Sequence, residues 1–164
     1  MRLTLTITGI ILSICSFSQR TYTLEDFYTY NPDLEQKVAE IFDGLNDTTR
    51  AGQMIIPAAG RLGKSQEHLN QLIEKKYIGG ILLLNGTKAG FTTMVKDFNT
   101  INSSVKGLPF LYSADAEPSL IGYKIKNCAP VKKAGSMIDR NEVKYAANSI
   151  SNDLIDIGIN FNYA

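Results

Sequence analysis

Two carboxylates, Asp115 and Glu117, are the residues of this sequence best placed to do chemistry. They follow an apolar run over residues 108–112, in which the apolar residues are continuous rather than alternating with polar ones. Such a run is typical of a parallel strand that is buried on both faces. Side chains at the carboxyl end of such a strand lie where open α/β sheets and α/β barrels bind their ligands. We therefore expect both carboxylates at the edge of a binding site.

Composition excludes several classes of protein. If residues 1–18 are removed as a signal peptide, Arg2 goes with them and the remaining basic and acidic residues are equal in number. A nucleic-acid or anionic-membrane partner needs a clustered basic excess, so neither is predicted. His68 is the only histidine, which excludes histidine-rich zinc sites and leaves one base for a Ser-His-Asp triad. Because His68 lies in a polar helical stretch, we expect it to be exposed. With this single histidine, we predict no metal site, and we predict no cofactor.

The first residues have the pattern of an export signal. Arg2 supplies a positive start, residues 3–14 form an apolar segment, and Ser18 is a small residue before Gln19. The apolar segment is too short to span a bilayer, which needs about 20 apolar residues. We therefore predict cleavage near Ser18 and Gln19 and a periplasmic or secreted protein. With the other cysteine removed in the signal, Cys128 stands alone and no internal disulfide is expected.

Downstream, the sequence alternates between strand-like and helix-like segments. Apolar runs predict four strands, at residues 54–58, 78–84, 108–112 and 159–164. Helical spacing of apolar residues predicts a helix over residues 91–105, and N-cap residues predict others that begin after Asn31, Asn46, Ser65 and Asp139. Residues 19–30 are predicted to form an arm, and residues 118–138 an irregular excursion between elements.

The crossover segments predict the architecture. Strands joined by right-handed crossovers form a parallel sheet, and four of them fit either a small doubly wound sheet or part of a (β/α)8 barrel. A complete barrel needs about 250 residues. The expected division is a signal peptide at residues 1–18, an arm at 19–30 and an α/β domain at 31–164. Unpaired outer strands and uncovered apolar faces also predict self-association through the sheet edges.

Four segments, in order, resemble the N-terminal barrel domain of glycoside hydrolase family 3. In residues 45–54 a Gly-Gln-Met sequence enters the first strand, and residues 77–84 contain a glycine pair. In residues 108–117 an acidic residue ends the strand, and residues 154–164 form a helix end followed by a strand. The resemblance covers residues 32–164. It implies an α/β fold, a partial TIM (β/α)8 barrel with about four parallel strands and crossover helices.

The resemblance also implies an activity. Members of this family hydrolyse O-glycosyl bonds of terminal β-linked sugars with retention, as β-N-acetylhexosaminidases or β-glucosidases. Their nucleophile lies on a late barrel strand and a lysine–histidine pair on a middle strand, and neither region has a match within residues 32–164. We therefore expect no catalytic residue in this chain and no activity from it alone. The alternative is a non-catalytic exported sugar-binding α/β module, and in both cases the expected partner is carbohydrate.

By the same resemblance, Asp115 would bind hydroxyls of the terminal sugar, and it is the only residue that carries over from the family. Glu117 is expected beside it in the substrate site because it follows the same strand. Two residues apart on an extended backbone, the two Cα atoms lie about 7 Å apart, so an acid/base pair like that of a glycosidase is an alternative. However, neighbouring strand-end acids share one environment, and Pro118 turns Glu117 away from strand geometry. A helix-capping or ion-pairing role is the third interpretation.

Two further groups of polar residues allow a functional and a structural interpretation. Asn160 and Asn162 alternate with apolar residues and could face a barrel lumen, although interior amides bonded within the sheet are favoured. Lysines of the excursion could form an anion site, although a solvated loop is favoured; they are Lys124, Lys126, Lys132 and Lys133. Residues 60–63 are bracketed by glycines but lack the Lys-Ser/Thr ending of a phosphate-binding loop.

Overall fold

The computed structural model describes residues 23–164, and the chain divides into two compact units between Glu40 and Ile41. The predicted signal peptide and the first residues of the predicted arm therefore lie outside the described residues. The described part of the first unit contains a short helix within the predicted arm and most of the helix after it. At the start of the short helix, the backbone N–H of Thr23 donates to Asp26 Oδ2 at 2.7 Å.

The described residues form seven α-helices, one 3-10 helix (Ala134–Ser136) and six short strands. The helices are α1 (Leu24–Tyr28), α2 (Pro32–Asp43), α3 (Asp47–Gly52), α4 (Gln66–Glu74), α5 (Lys88–Ser104), α6 (Ile121–Lys124) and α7 (Arg140–Ile157). The strands are β1 (Ala58–Ala59), β2 (Gly80–Leu83), β3 (Gly86–Thr87), β4 (Leu111–Ala114), β5 (Ile125–Lys126) and β6 (Phe161–Asn162). None of these helices is long and apolar enough to cross a membrane.

Four of the strands form one parallel sheet in the order β1-β2-β4-β6. The register pairs Ala58 with Leu82, Ile81 with Tyr112, and Ser113 with Phe161. The other two strands, β3 and β5, form a separate parallel pair. The predicted α/β class with a parallel four-stranded sheet is therefore confirmed, and the arrangement is compatible with part of a (β/α)8 barrel. Self-association through the outer strands, β1 and β6, stays a prediction.

Helices α4, α5 and α7 pack on the sheet and contribute nine of the twenty buried apolar side chains among the described residues. The largest buried side chains of the second unit come from these helices, from β2 and β5, and from a position two residues before β2. They include Leu69, Ile73, Ile78, Ile81, Leu83, Phe91, Phe98, Ile125 and Ile157. Tyr112 in β4 donates its hydroxyl proton to Asn99 Oδ1 of α5 at 2.9 Å. Because strand side chains alternate, Leu111 and Ser113 point away from α5.

The predicted helix boundaries are largely confirmed by their caps. The side-chain oxygens of Asn31, Asn46, Ser65 and Asp139 each accept a hydrogen bond from a backbone N–H of the first turn. Helix α7 ends at Gly158, whose φ of 96° is the left-handed conformation that favours glycine. Local sequence therefore determines where these helices begin and end.

Three local expectations are wrong. The first strand begins at Ala58 rather than Met54, because the backbone N–H groups of Met54 and Ile55 donate to α3 carbonyls and continue its last turn. The excursion contains α6 and β5, because β5 pairs with β3. Val143 shares the helical spacing of Ala146 and Ile150, which predicts burial on the same face of α7, but it is 53% exposed.

Candidate functional site

Asp115 lies immediately after β4, at the carboxyl end of the parallel sheet. Its carboxylate forms an ion pair with the ammonium of Lys124, the last residue of α6. The side chain of Asp115 remains 44% exposed, whereas that of Lys124 is 20% exposed. The position expected from the sequence is therefore observed, and α6 adds a cationic partner that sequence reasoning did not assign to it.

Glu117 contributes to the local structure through its backbone carbonyl rather than through its side chain. Its carbonyl accepts hydrogen bonds from Leu120 N at 3.1 Å and Ile121 N at 2.9 Å, which form the turn that begins α6. Within residues 23–164, the Glu117 side chain makes no hydrogen bond or ion pair, and only Asp115 of the two acids has a cationic partner. The two carboxylates thus have separate surroundings, and the structure joins Asp115 to Lys124 rather than to Glu117.

Two asparagines of the last strand segment hold the backbone on either side of β4. Asn162 Oδ1 accepts from Ala116 N at 2.9 Å, and its Nδ2 donates to Ala116 O at 3.2 Å. Asn160 Nδ2 donates to Phe110 O at 3.0 Å. These bonds extend the pairing of β4 with β6 beyond the strand ends, which agrees with the structural interpretation of both amides. Asn162 therefore fixes the backbone of the residue that follows Asp115.

A polar cleft is lined by residues on both sides of Lys124 in the sequence, Tyr123 and Lys126. It encloses about 330 Å³ and is lined by Arg61, Asn85, Gly86, Thr87, Tyr123 and Lys126. The loop after β1 reaches the end of β2, because Arg61 N donates to Asn85 O at 3.1 Å. The pairing of Thr87 with Lys126 brings β5 to the opposite side of the cleft.

Of the four excursion lysines, Lys124 and Lys132 have acidic partners, so the four do not form a single anion site.

A second cluster, which the sequence did not predict, joins α5 to α7. Lys88 Nζ lies 2.6 Å from Asp153 Oδ1 and 2.7 Å from Asp156 Oδ2, and these bonds raise the pKa of Lys88 above its ordinary value. Asp153 Oδ2 accepts from Ala129 N at 2.6 Å. Burial opposes ionisation of Asp153, but the bonds from Lys88 and Ala129 outweigh it and hold its pKa below the usual range. The sequence does carry one signal of this cluster. Asp153 falls on the apolar face of α7, where a buried carboxylate needs a partner.

The remaining reactive residues do not converge on Asp115. Cys128 is a free thiol beside Asp153, and burial, with a smaller contribution from the Asp153 charge, raises its pKa to about 11. His68 is exposed on α4, as expected. Across residues 23–164, no group of three or more His, Cys, Asp or Glu side chains is arranged to hold a metal ion. The candidate site therefore consists of Asp115, Lys124 and the neighbouring cleft.

Comparison with known proteins supports the fold. No protein-family model matches the chain, and no curated protein sequence matches it. Among solved structures, the chain is similar to a glycoside hydrolase family 3 β-N-acetylglucosaminidase from Paenibacillus sp. str. FPU-7, with a TM-score of 0.63 and 23% sequence identity. The similarity covers 73% of this chain and 24% of that one, so this chain spans about a quarter of its length.

The solved structure belongs to the family that residues 32–164 resemble in sequence. The order of four sequence segments and the similarity of the backbone indicate the same fold. The chain therefore has the fold of part of a glycoside hydrolase family 3 β-N-acetylglucosaminidase.

Proposed function

We propose that this chain belongs to an exported glycosidase of the family 3 type and that Asp115 binds hydroxyls of a terminal sugar. The observation that carries the proposal is the place of Asp115 at the carboxyl end of the third strand along a parallel sheet with this fold. Ligands of barrel and open-sheet α/β proteins bind at that end. Export is proposed from the signal-like pattern of residues 1–18 alone.

The chemistry of the Asp115–Lys124 pair suits a sugar. A carboxylate only accepts hydrogen bonds and an ammonium only donates them, so together they can bond both the proton and the oxygen of a hydroxyl. Asp115 is half-exposed and retains acceptor capacity beyond Lys124. Tyr123, next to Lys124, is 72% exposed and offers an apolar ring against which a sugar can pack.

The proposed reaction of the glycosidase is hydrolysis of terminal β-linked sugars with retention of configuration. Retention requires a nucleophile and a separate acid/base about 5–5.5 Å apart. In this chain Asp115 is ion-paired and Glu117 belongs to a turn, an arrangement that supports binding rather than acid/base chemistry. We therefore propose that residues 23–164 bind sugar without cleaving it. N-acetylglucosamine is the first ligand to test, because the similar solved structure is named as a β-N-acetylglucosaminidase.

Titration calorimetry with N-acetylglucosamine and with glucose tests the binding role. We expect Asp115→Asn to weaken sugar binding by about tenfold, the loss of one charge-assisted hydrogen bond. Asp43→Asn, at an exposed carboxylate that ends α2, is the matched control and should leave binding unchanged. Equal affinity of the wild type and Asp115→Asn would contradict the proposal.

The alternative function, a non-catalytic sugar-binding module, is favoured by the ion pair that engages Asp115. A nitrophenyl β-N-acetylglucosaminide assay on the protein purified from its native source distinguishes the two. The glycosidase proposal predicts turnover there and none by the present chain. Binding without turnover in both preparations would favour the module, and turnover by the present chain that Asp115→Asn abolishes would show catalysis where we propose binding alone.

A further inference from the structure

We propose that the cleft between Arg61 and Lys126 binds the acidic substituent of a carbohydrate, a carboxylate or a phosphate carried on the sugar or on its neighbour. The inference rests on the proposed function for the kind of ligand, whereas the charge of the ligand follows from the cleft itself. It assigns a substrate class, acidic saccharides, that the likeness in fold does not supply.

The first argument is charge. Two of the six lining residues are cationic and none is acidic. Within residues 23–164, neither the Arg61 guanidinium nor the Lys126 ammonium makes a hydrogen bond or an ion pair. Lys88, Lys124 and Lys132, by contrast, are each paired with a carboxylate. The donors of the cleft are thus available to an external anion, and a guanidinium fork with an ammonium suits carboxylates and phosphates.

The second argument is that the backbone places the two cations. Gly60 has a φ of 109°, and a Cβ there would lie 1.8 Å from Leu84 O, so only glycine lets the loop approach β2 and carry Arg61 to the cleft. A Cβ on Gly86 would lie 2.4 Å from the Phe91 ring. That glycine keeps β3 close to α5 and in register with β5. Gly60 and Gly86 therefore allow the backbone to approach closely on both sides of the cleft. The loop that carries Arg61 is not a phosphate-binding loop.

The third argument is position and size. Lys124, the partner of Asp115, lies in sequence between Tyr123 and Lys126, which both line the cleft. The acid-binding cleft and the proposed sugar site thus share one segment. A volume of about 330 Å³ is near the lower limit of ligand pockets, about 300–1,000 Å³. It can hold one substituted sugar unit rather than a long chain.

Ligand-observed NMR titration of the full chain with glucose, glucuronate and glucose 6-phosphate tests the inference. We expect at least one of the two acids to bind about tenfold tighter than glucose, and this advantage to decline with salt. The acid that is preferred identifies carboxylate or phosphate as the substituent. In the double variant Arg61→Gln, Lys126→Gln the advantage should disappear while glucose binding stays unchanged. Lys96→Gln, at an exposed lysine of α5, is the control and should retain it.

The outcomes separate this inference from the proposed function. If glucose binds but neither acid binds tighter, or if the double variant keeps the preference, the acid-binding cleft is refuted and the sugar site stands. If the acids bind and glucose does not, and the double variant abolishes binding, the cleft is supported and the sugar site at Asp115 is refuted. Absence of binding by all three ligands would overturn both. Thermal melts confirm that each variant is folded, which the exposure of both side chains leads us to expect.

Discussion

Replacing Asp153 with alanine tests whether the cluster between α5 and α7 stabilises the fold. Asp153 is buried in α7, where its carboxylate accepts a hydrogen bond from Lys88 Nζ at 2.6 Å and another from Ala129 N at 2.6 Å. These contacts hold together the start of α5, the end of α7 and the segment after β5. Removing the carboxylate leaves the Ala129 N–H without its acceptor and Lys88 with Asp156 as its remaining partner.

The expected cost follows from these two hydrogen bonds. A hydrogen bond to a charged group contributes about 1.5–3 kcal/mol, and the lower value applies because the Lys88 side chain is 27% exposed and keeps Asp156. We therefore expect Asp153→Ala to lower the free energy of unfolding by about 3 kcal/mol. For a domain of this size, that corresponds to a melting temperature lower by about 10 °C. Urea denaturation followed by circular dichroism, together with thermal melts, measures both quantities.

The pH dependence supplies a second readout. The pKa of Asp153 in the folded chain is lower than its value of about 3.9 in the unfolded chain. A group of this kind stabilises the fold fully above the unfolded pKa, and its contribution is lost as the pH falls toward the folded pKa. The difference in stability between the wild type and Asp153→Ala should therefore be constant from about pH 7 to pH 5 and decrease below about pH 4.

Asp156→Ala is the matched control, because Asp156 contacts the same lysine but its side chain is 63% exposed. An exposed ion pair contributes at most about 1 kcal/mol, so this variant should change stability little. Equal destabilisation by the two variants would refute the argument from burial. A difference between the wild type and Asp153→Ala that persists unchanged to about pH 3 would refute the argument from ionisation.

Two further variants or modifications test local features. Gly158→Ala should lower the free energy of unfolding by about 1–2 kcal/mol, because Gly158 has a φ of 96° and a Cβ there would lie 3.0 Å from Val95 Cγ1. Gly122→Ala, where a Cβ meets open space, is its control, and equal urea midpoints would contradict the prediction. Alkylation of Cys128 by iodoacetamide at pH 8 should be about 100-fold slower in the folded than in the unfolded chain, because burial raises the thiol pKa to about 11. Mass spectrometry measures this rate, and similar rates in both states would show that the thiol is not buried.

Local sequence predicted most of the longer helices and the parallel four-stranded sheet, because the signals for these elements depend on neighbouring residues. Ser65 and Asp139 cap helices through N–H groups two or three residues away, and Gly158 ends α7 through its own conformation. Apolar runs and helical periodicity then required a parallel sheet with crossover helices. The carboxyl end of β4, and with it the place of Asp115, followed from the same pattern.

The contacts around the sites were decided by the tertiary structure. Lys88 meets Asp153 and Arg61 lines one cleft with Lys126, and both pairs are separated by 65 residues in the sequence. Whether such residues meet depends on strand register and on how helices pack, which no local pattern specifies. Asp115 illustrates both contributions. Its type and position follow from the sequence, whereas its pairing with Lys124 depends on α6, which leads directly into β5, the partner of β3.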